Sequence, residues 1–104
     1  MKTDQIIEVG LDDSGCLYVQ PESTTFPYIY REAMDVHWDD KRRVLRSPPP
    51  RVLLDFTLPR WFQQIVNAAK EQDCALVLSE KTKWLAVPEA QKKLILEWCA
   101  SHDA

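Results

Sequence analysis

The sequence predicts an α+β domain: a mainly antiparallel sheet of about five strands with two helices packed on one face. Three observations carry this. Residues 57–72 (TLPRWFQQIVNAAKEQ) set Leu58, Trp61, Phe62, Ile65, Ala68 and Ala69 at spacings of three and four, one side of a helix. Residues 88–99 (PEAQKKLILEWC) repeat the pattern with Ala90, Leu94, Ile95, Trp98 and Cys99. The remaining apolar runs are short, alternating or bounded by turn residues, and read as strands. At 104 residues, the chain is one domain with room for a modest core.

Taken in order, residues 5–11 (QIIEVGL) alternate, with Ile7, Val9 and Leu11 on one face and Ile6 and Glu8 on the other. Residues 12–15 (DDSG) form a turn in which Gly15 supplies a positive φ. Residues 16–20 (CLYVQ) return as a strand, Leu17 and Val19 facing one way and Tyr18 the other, and Pro21 ends it. Residues 22–27 connect. Residues 28–33 fit a strand or a helical turn equally. From 34 to 39 a strand is favoured, with Met34, Val36 and Trp38 inward and Asp35, His37 and Asp39 outward. A polar turn at 40–42 then leads to a return strand at 43–47.

Pro48, Pro49 and Pro50 offer no backbone N–H and must leave the sheet, so they read as a stiff connector. Residues 51–56 add a short extended piece. The first helix follows, with Thr57 as N-cap and Pro59 in the first turn, where proline is tolerated. Trp61 and Phe62 carry its largest apolar area; burying each contributes about 2–3 kcal/mol. Residues 74–79 (CALVLS) are an apolar strand expected inside the sheet. Residues 81–85 (KTKWL) are a last edge piece guarded by lysine. Pro88 and Glu89 suit the start of the second helix, and residues 101–104 form a tail containing His102.

Composition excludes several function classes. A formal net charge of −3 argues against general nucleic-acid binding. Two glycines exclude a glycine-rich phosphate loop. Cys16, Cys74 and Cys99 are widely spaced beside apolar residues, with no CxxC, and read as free buried thiols in a reducing cytoplasm. The DDSG turn lacks the alternate carboxylates of a calcium loop. The N-terminus has no signal-peptide pattern, and no run reaches the roughly 18–20 apolar residues of a membrane span. No cofactor and no membrane partner are expected.

Two constellations stand out. Asp35, His37 and Asp39 share one face of a strand at about 6–7 Å spacing, a set able to hold a metal or exchange protons. They sit opposite Met34, Val36 and Trp38, and the return strand supplies Arg43 and Arg46, so cross-strand ion pairing explains them more simply. The basic cluster of Lys41, Arg42, Arg43, Arg46 and Arg51 is offset by Asp35, Asp39, Asp40 and Asp55. Tyr18, Tyr28 and Tyr30 are candidates for an exposed aromatic sheet face, the kind of surface that interfaces use at their hot spots.

The stretch YIYREAMDVHWDDKRRVLRSPPPR, followed by PRWFQQIVNAAKEQ, resembles small, functionally uncharacterised bacterial proteins of integron gene cassettes and similar mobile elements. Some of these lie beside toxin–immunity genes. The residues carrying the resemblance are Tyr30, Arg31, Met34, Val36, His37, Trp38, Asp39, Ser47, Pro48, Trp61 and Phe62. It implies a compact cytoplasmic protein, often self-associating, with an accessory role, and it transfers no catalytic residue.

The expectation is therefore a non-enzymatic interaction protein that binds a protein partner or a second copy of itself as a homodimer. Its contact candidates are Tyr28, Tyr30, Arg31, Asp35, His37, Asp39, Arg43 and Arg46. The alternative is a small-ligand protein with an aromatic pocket between sheet and helices, lined by Trp61, Phe62, Trp84 and Trp98. An enzyme or metal site on Asp35, His37 and Asp39 is the third reading.

Overall fold

A computed structural model describes residues 2–33, 35–47 and 58–102. The triproline connector, the extended piece at 51–56, the Thr57 cap and Met34 lie outside the described residues. Six strands and two helices follow one another: β1 (Lys2–Leu11), β2 (Leu17–Pro21), a single 3-10 turn (Ile29–Arg31), β3 (His37–Asp39), β4 (Val44–Arg46), α1 (Leu58–Glu71), β5 (Cys74–Val77), β6 (Lys83–Leu85) and α2 (Glu89–His102). The architecture is α+β, as expected, around one mixed sheet. Its order is β3-β4-β2-β1-β5, with β6 also paired to β1.

The β1–β2 hairpin is the centre. Asp12 shapes its turn, because its Oδ1 accepts the amides of Ser14 (2.9 Å) and Cys16 (3.0 Å), while Gly15 takes φ 81°. Alternation along β1 breaks at Ile7. Ile6 pairs with Pro21 and Glu8 with Gln20, so one residue is bulged out. The bulge reverses the expected facing: Ile6 and Val9 are buried and Ile7 is 38% exposed.

The chain after α1 differs from the expectation in direction. β5 and β6 both run parallel to β1, on the edge β2 leaves open. A helical connection returns the chain in its original sense, where a tight turn would reverse it. Among the described residues β5 is consequently an edge strand, at the end of the strand order and not inside it as expected. Its apolar run reflects burial of Cys74 and Leu76 alone, with Ala75 and Val77 half-buried. β6 occupies the edge, as its lysine suggested. Thr82 bridges the two strands: its Oγ1 donates to the Ile6 carbonyl (2.6 Å) and accepts the Ser79 amide (3.0 Å).

Helix α1 buries Pro59, Trp61, Phe62, Ile65, Val66, Ala68 and Ala69, the face its periodicity marks. It packs against β5 and β2. It ends where Asp73 adopts φ 61° and donates its amide to the Lys70 carbonyl (2.9 Å). Helix α2 rests on α1, with Trp98 edge-on to Phe62 at 6.1 Å. Its buried stripe is narrower than expected and rotated. Ile95 is fully buried with Gln91, Trp98 and Cys99 half-buried, whereas Ala90 is exposed and Leu94 is 49% exposed. A helix meeting another helix covers a single stripe, so the 90–94 side stays in solvent.

Two buried layers flank the sheet. The main core joins Ile6, Val9, Leu17, Val19, Leu45 and the buried face of α1. Cys16, Tyr18 and Val44 are also buried, yet alternation with Leu17, Val19 and Leu45 puts them on the other face. Tyr18 can lie flat there because its cross-strand neighbour is Gly10.

Candidate protein-interaction surface

The 3-10 turn decides how the tyrosines are presented. Ile29 is anchored in the core, and the amides of Ile29, Arg31 and Glu32 bond to the carbonyls of Phe26, Tyr28 and Ile29. With three residues per turn, fixing Ile29 inward sends its neighbours outward. Tyr28 is 54% and Tyr30 53% exposed, their ring centroids 6.5 Å apart. The Arg31 guanidinium stacks over Tyr28, 4.9 Å from the ring centroid. Gln72 at the end of α1 donates to Glu32 (2.8 Å) and steadies the turn from below.

The turn contacts β3, the far edge of the sheet. β3 is shorter than the expected strand at 34–39. Asp35 is exposed and precedes it, so the three side chains of the Asp-x-His-x-Asp stretch do not share one strand. His37 is exposed and faces Arg46 across the β3–β4 ladder. Asp39 works inside its own turn, where its Oδ1 accepts the amides of Lys41 (3.1 Å) and Arg42 (3.2 Å). Among the described residues, no three His, Cys, Asp or Glu side chains are grouped to hold a metal ion.

Arg46 is likewise committed within the fold. Its Nη2 donates to Asp12 Oδ2 at 2.6 Å and lies 3.7 Å from Cys16 Sγ, while Nη1 is 3.9 Å from Asp39 Oδ2. Burial raises the Asp12 pKa, but the Cys16 and Ser14 amides and Arg46 outweigh it and hold the carboxyl below its ordinary value. Burial and the Asp12 charge push the Cys16 thiol up, which keeps it protonated and unreactive. Arg43 is exposed and takes φ 58° at the hairpin tip. Of the eight contact candidates, then, Tyr28, Tyr30, Arg31, Asp35, His37 and Arg43 are exposed, and Asp39 and Arg46 hold the hairpin in shape.

Among the described residues, the four pocket candidates are not gathered around one cavity. Trp61 and Phe62 belong to the core. Trp98 lines a cleft of about 110 Å³ between α1, β5 and α2. Trp84 lines a different one, with Lys92 Nζ 5.4 Å from its ring centroid. Tyr18, expected on an exposed aromatic sheet face, is instead buried at 3% exposure. Its hydroxyl donates to Glu8 Oε2 (2.8 Å), and Arg42 lies over its ring at 5.6 Å. Burial, then the Glu8 bond and charge, push the phenol up to about 12. Counting outward from the DDSG turn pairs residue 18 with the glycine at 10, a signal available in the sequence.

A protein-family model described as Integron Cassette Protein Hfx_Cass5 matches residues 4–82. Among solved structures, the Hfx_Cass5 integron cassette protein from the mobile metagenome of North West Arm Sewage Outfall is 39% identical. The match covers 96% of this chain and 98% of that one, with a TM-score of 0.47. No curated protein matches. The stretch matched by the family model takes in the 3-10 turn, β3, β4, α1 and β5, and stops short of α2.

Proposed function

This chain belongs to the Hfx_Cass5 family of integron cassette proteins, and we propose that it is a non-enzymatic protein-interaction module. Its contact surface is the Tyr28–Tyr30–Arg31 turn with the neighbouring β3 edge. The observation that carries this reading is the pair of half-exposed tyrosines under a stacked arginine. Folding alone gives no reason to leave such area in water, and Tyr and Arg are the residues on which interface energy concentrates. The turn is held by Ile29 and by the Gln72–Glu32 bond, so little ordering is lost on binding.

The partner is a bacterial protein, or a second copy of this chain, met in the cytoplasm. An inhibitor or immunity-type role suits a chain of 104 residues with a formal net charge of −3. No described helix is long and apolar enough to cross a membrane. The test is capture from host lysate with the tagged chain, repeated with Tyr30→Ala and Arg31→Glu, the complex being weighed by light scattering. Either substitution should remove a stoichiometric complex and leave the melting temperature within a few degrees, since both side chains are exposed. A complex indifferent to both substitutions would refute the assignment.

A further inference from the structure

The edge of the sheet opposite β3 is built differently. β5 bonds to β1 on one side. The Asp73 carbonyl accepts the Lys2 amide at 3.0 Å, which fixes the phase of the strand. Alternation then turns the backbone groups of Ala75 and Val77 toward β1 and those of Leu76 and the Leu78 amide outward. Among the described residues, no other strand pairs with this outward side. Edge strands are ordinarily defended by charge, proline or brevity. β3 has three residues, His37 and Asp39 among them, and β6 has Lys83. β5 is itself short, at four residues, but from Cys74 to Ser79 there is no charge and no proline.

This edge opens into the cleft of about 110 Å³, walled by Val66 and Lys70 of α1 and Trp98 of α2, with Ala75, Val77 and Leu78 along β5. A second cleft shares Leu78 and continues to Trp84, Leu96 and Lys92. Glu80 also lines that second cleft, so the positive character of the groove is carried mainly by Lys70.

We propose that the outer edge of β5 is a strand-addition site for an extended segment of a partner protein. That segment is apolar at alternate residues and carries a carboxylate that meets Lys70. Outward amides and carbonyls recognise an extended backbone, the apolar cleft takes every second side chain, and the lysine selects the acidic end. The site lies at the other end of the strand order from Tyr28–Arg31 and does not depend on that surface.

The probe is a capped hexapeptide, acetyl-Val-Thr-Val-Thr-Val-Glu-amide, titrated into the isotope-labelled full chain while amide hydrogen exchange is followed by NMR. The expected result is slowed exchange at Leu76 and Leu78. A peptide N-methylated at every residue should not produce it, and Lys70→Glu should weaken it about tenfold. Tyr30→Ala should leave it intact, which separates this site from the proposed contact surface. Unchanged exchange at both amides with millimolar peptide would overturn the proposal. So would equal binding of the N-methylated peptide, which marks an apolar cleft without strand pairing. Protection that needs no peptide and grows with protein concentration would also overturn it, because the edge would then be covered by a second copy.

Discussion

Replacing Gly10 with alanine tests how the outer layer of the sheet is built. A Cβ at this position would sit 2.5 Å from Tyr18 Oη, 2.7 Å from Tyr18 Cζ and 2.9 Å from the Leu85 carbonyl oxygen. Real Cβ contacts are not that short, so either the ring or β6 must move. Overpacking of this kind costs about 1–3 kcal/mol. Displacing the ring also breaks the Tyr18–Glu8 hydrogen bond, worth about 1–2 kcal/mol with a charged acceptor. Removing a glycine from a strand interior returns about 0.5–1 kcal/mol. The balance is a loss of about 2–3 kcal/mol, or about 10–20 °C in melting temperature for a domain this size. Urea and thermal unfolding of Gly10→Ala, Tyr18→Ala and the double variant provide the measurement. With the ring removed, only the Leu85 carbonyl resists the new methyl, so the cost of Gly10→Ala should fall by at least about 1 kcal/mol in that background. Additive effects, or a Gly10→Ala variant as stable as the parent, would refute the close approach of ring and backbone.

Other consequences follow from the same contacts. The phenol of Tyr18 is raised from 10.0 to about 12 by burial and by Glu8. Its contribution is therefore complete below pH 10.0 and lost as pH rises through about 12; the shift corresponds to about 2–3 kcal/mol. Stability measured up that range should fall in the parent and stay flatter in Tyr18→Phe. Asp4 is buried, which alone would raise its pKa, but the Ser23, Thr24 and Gln5 amides accepted by its carboxylate bring it below the ordinary 3.8. That stabilisation is present above 3.8 and disappears as pH falls through the depressed folded value. Asp4→Asn should therefore cost about 1–2 kcal/mol at neutral pH and converge with the parent in acid, by denaturant unfolding. Ala86 holds φ 61° on an exposed stretch, so Ala86→Gly should raise stability by about 0.5–1 kcal/mol, and a loss would show that the methyl makes a needed contact.

The two surfaces discussed above lie at the two edges of one sheet, and their chemistry differs. At the β3 edge the backbone is short and flanked by charge, and the proposed recognition elements are side chains: Tyr28, Tyr30 and Arg31. At the β5 edge the side chains are apolar, and the proposed recognition element is the backbone itself.

The sequence by itself determined the elements whose signals are local. The α1 face at Trp61, Phe62 and Ile65, the DDSG turn with its positive-φ glycine, and the lysine-guarded edge at β6 follow from periodicity and turn chemistry, which act over a few residues. The exposed tyrosines at 28 and 30 were also legible as candidates. Their presentation was not, because the choice between strand and 3-10 turn rests on Ile29 reaching the core. Only tertiary structure decided the rest. The bulge at Ile7 inverts a facing that strict alternation predicts, and it arises from pairing with β2. The edge position of β5 depends on which strand the helical crossover delivers it to. Asp39 and Arg46 read as surface groups until Asp12, 34 residues from Arg46 in the chain, is brought against the guanidinium. Periodicity reports which side of an element is apolar. It does not report what lies beyond that side, since the neighbour comes from a distant part of the chain.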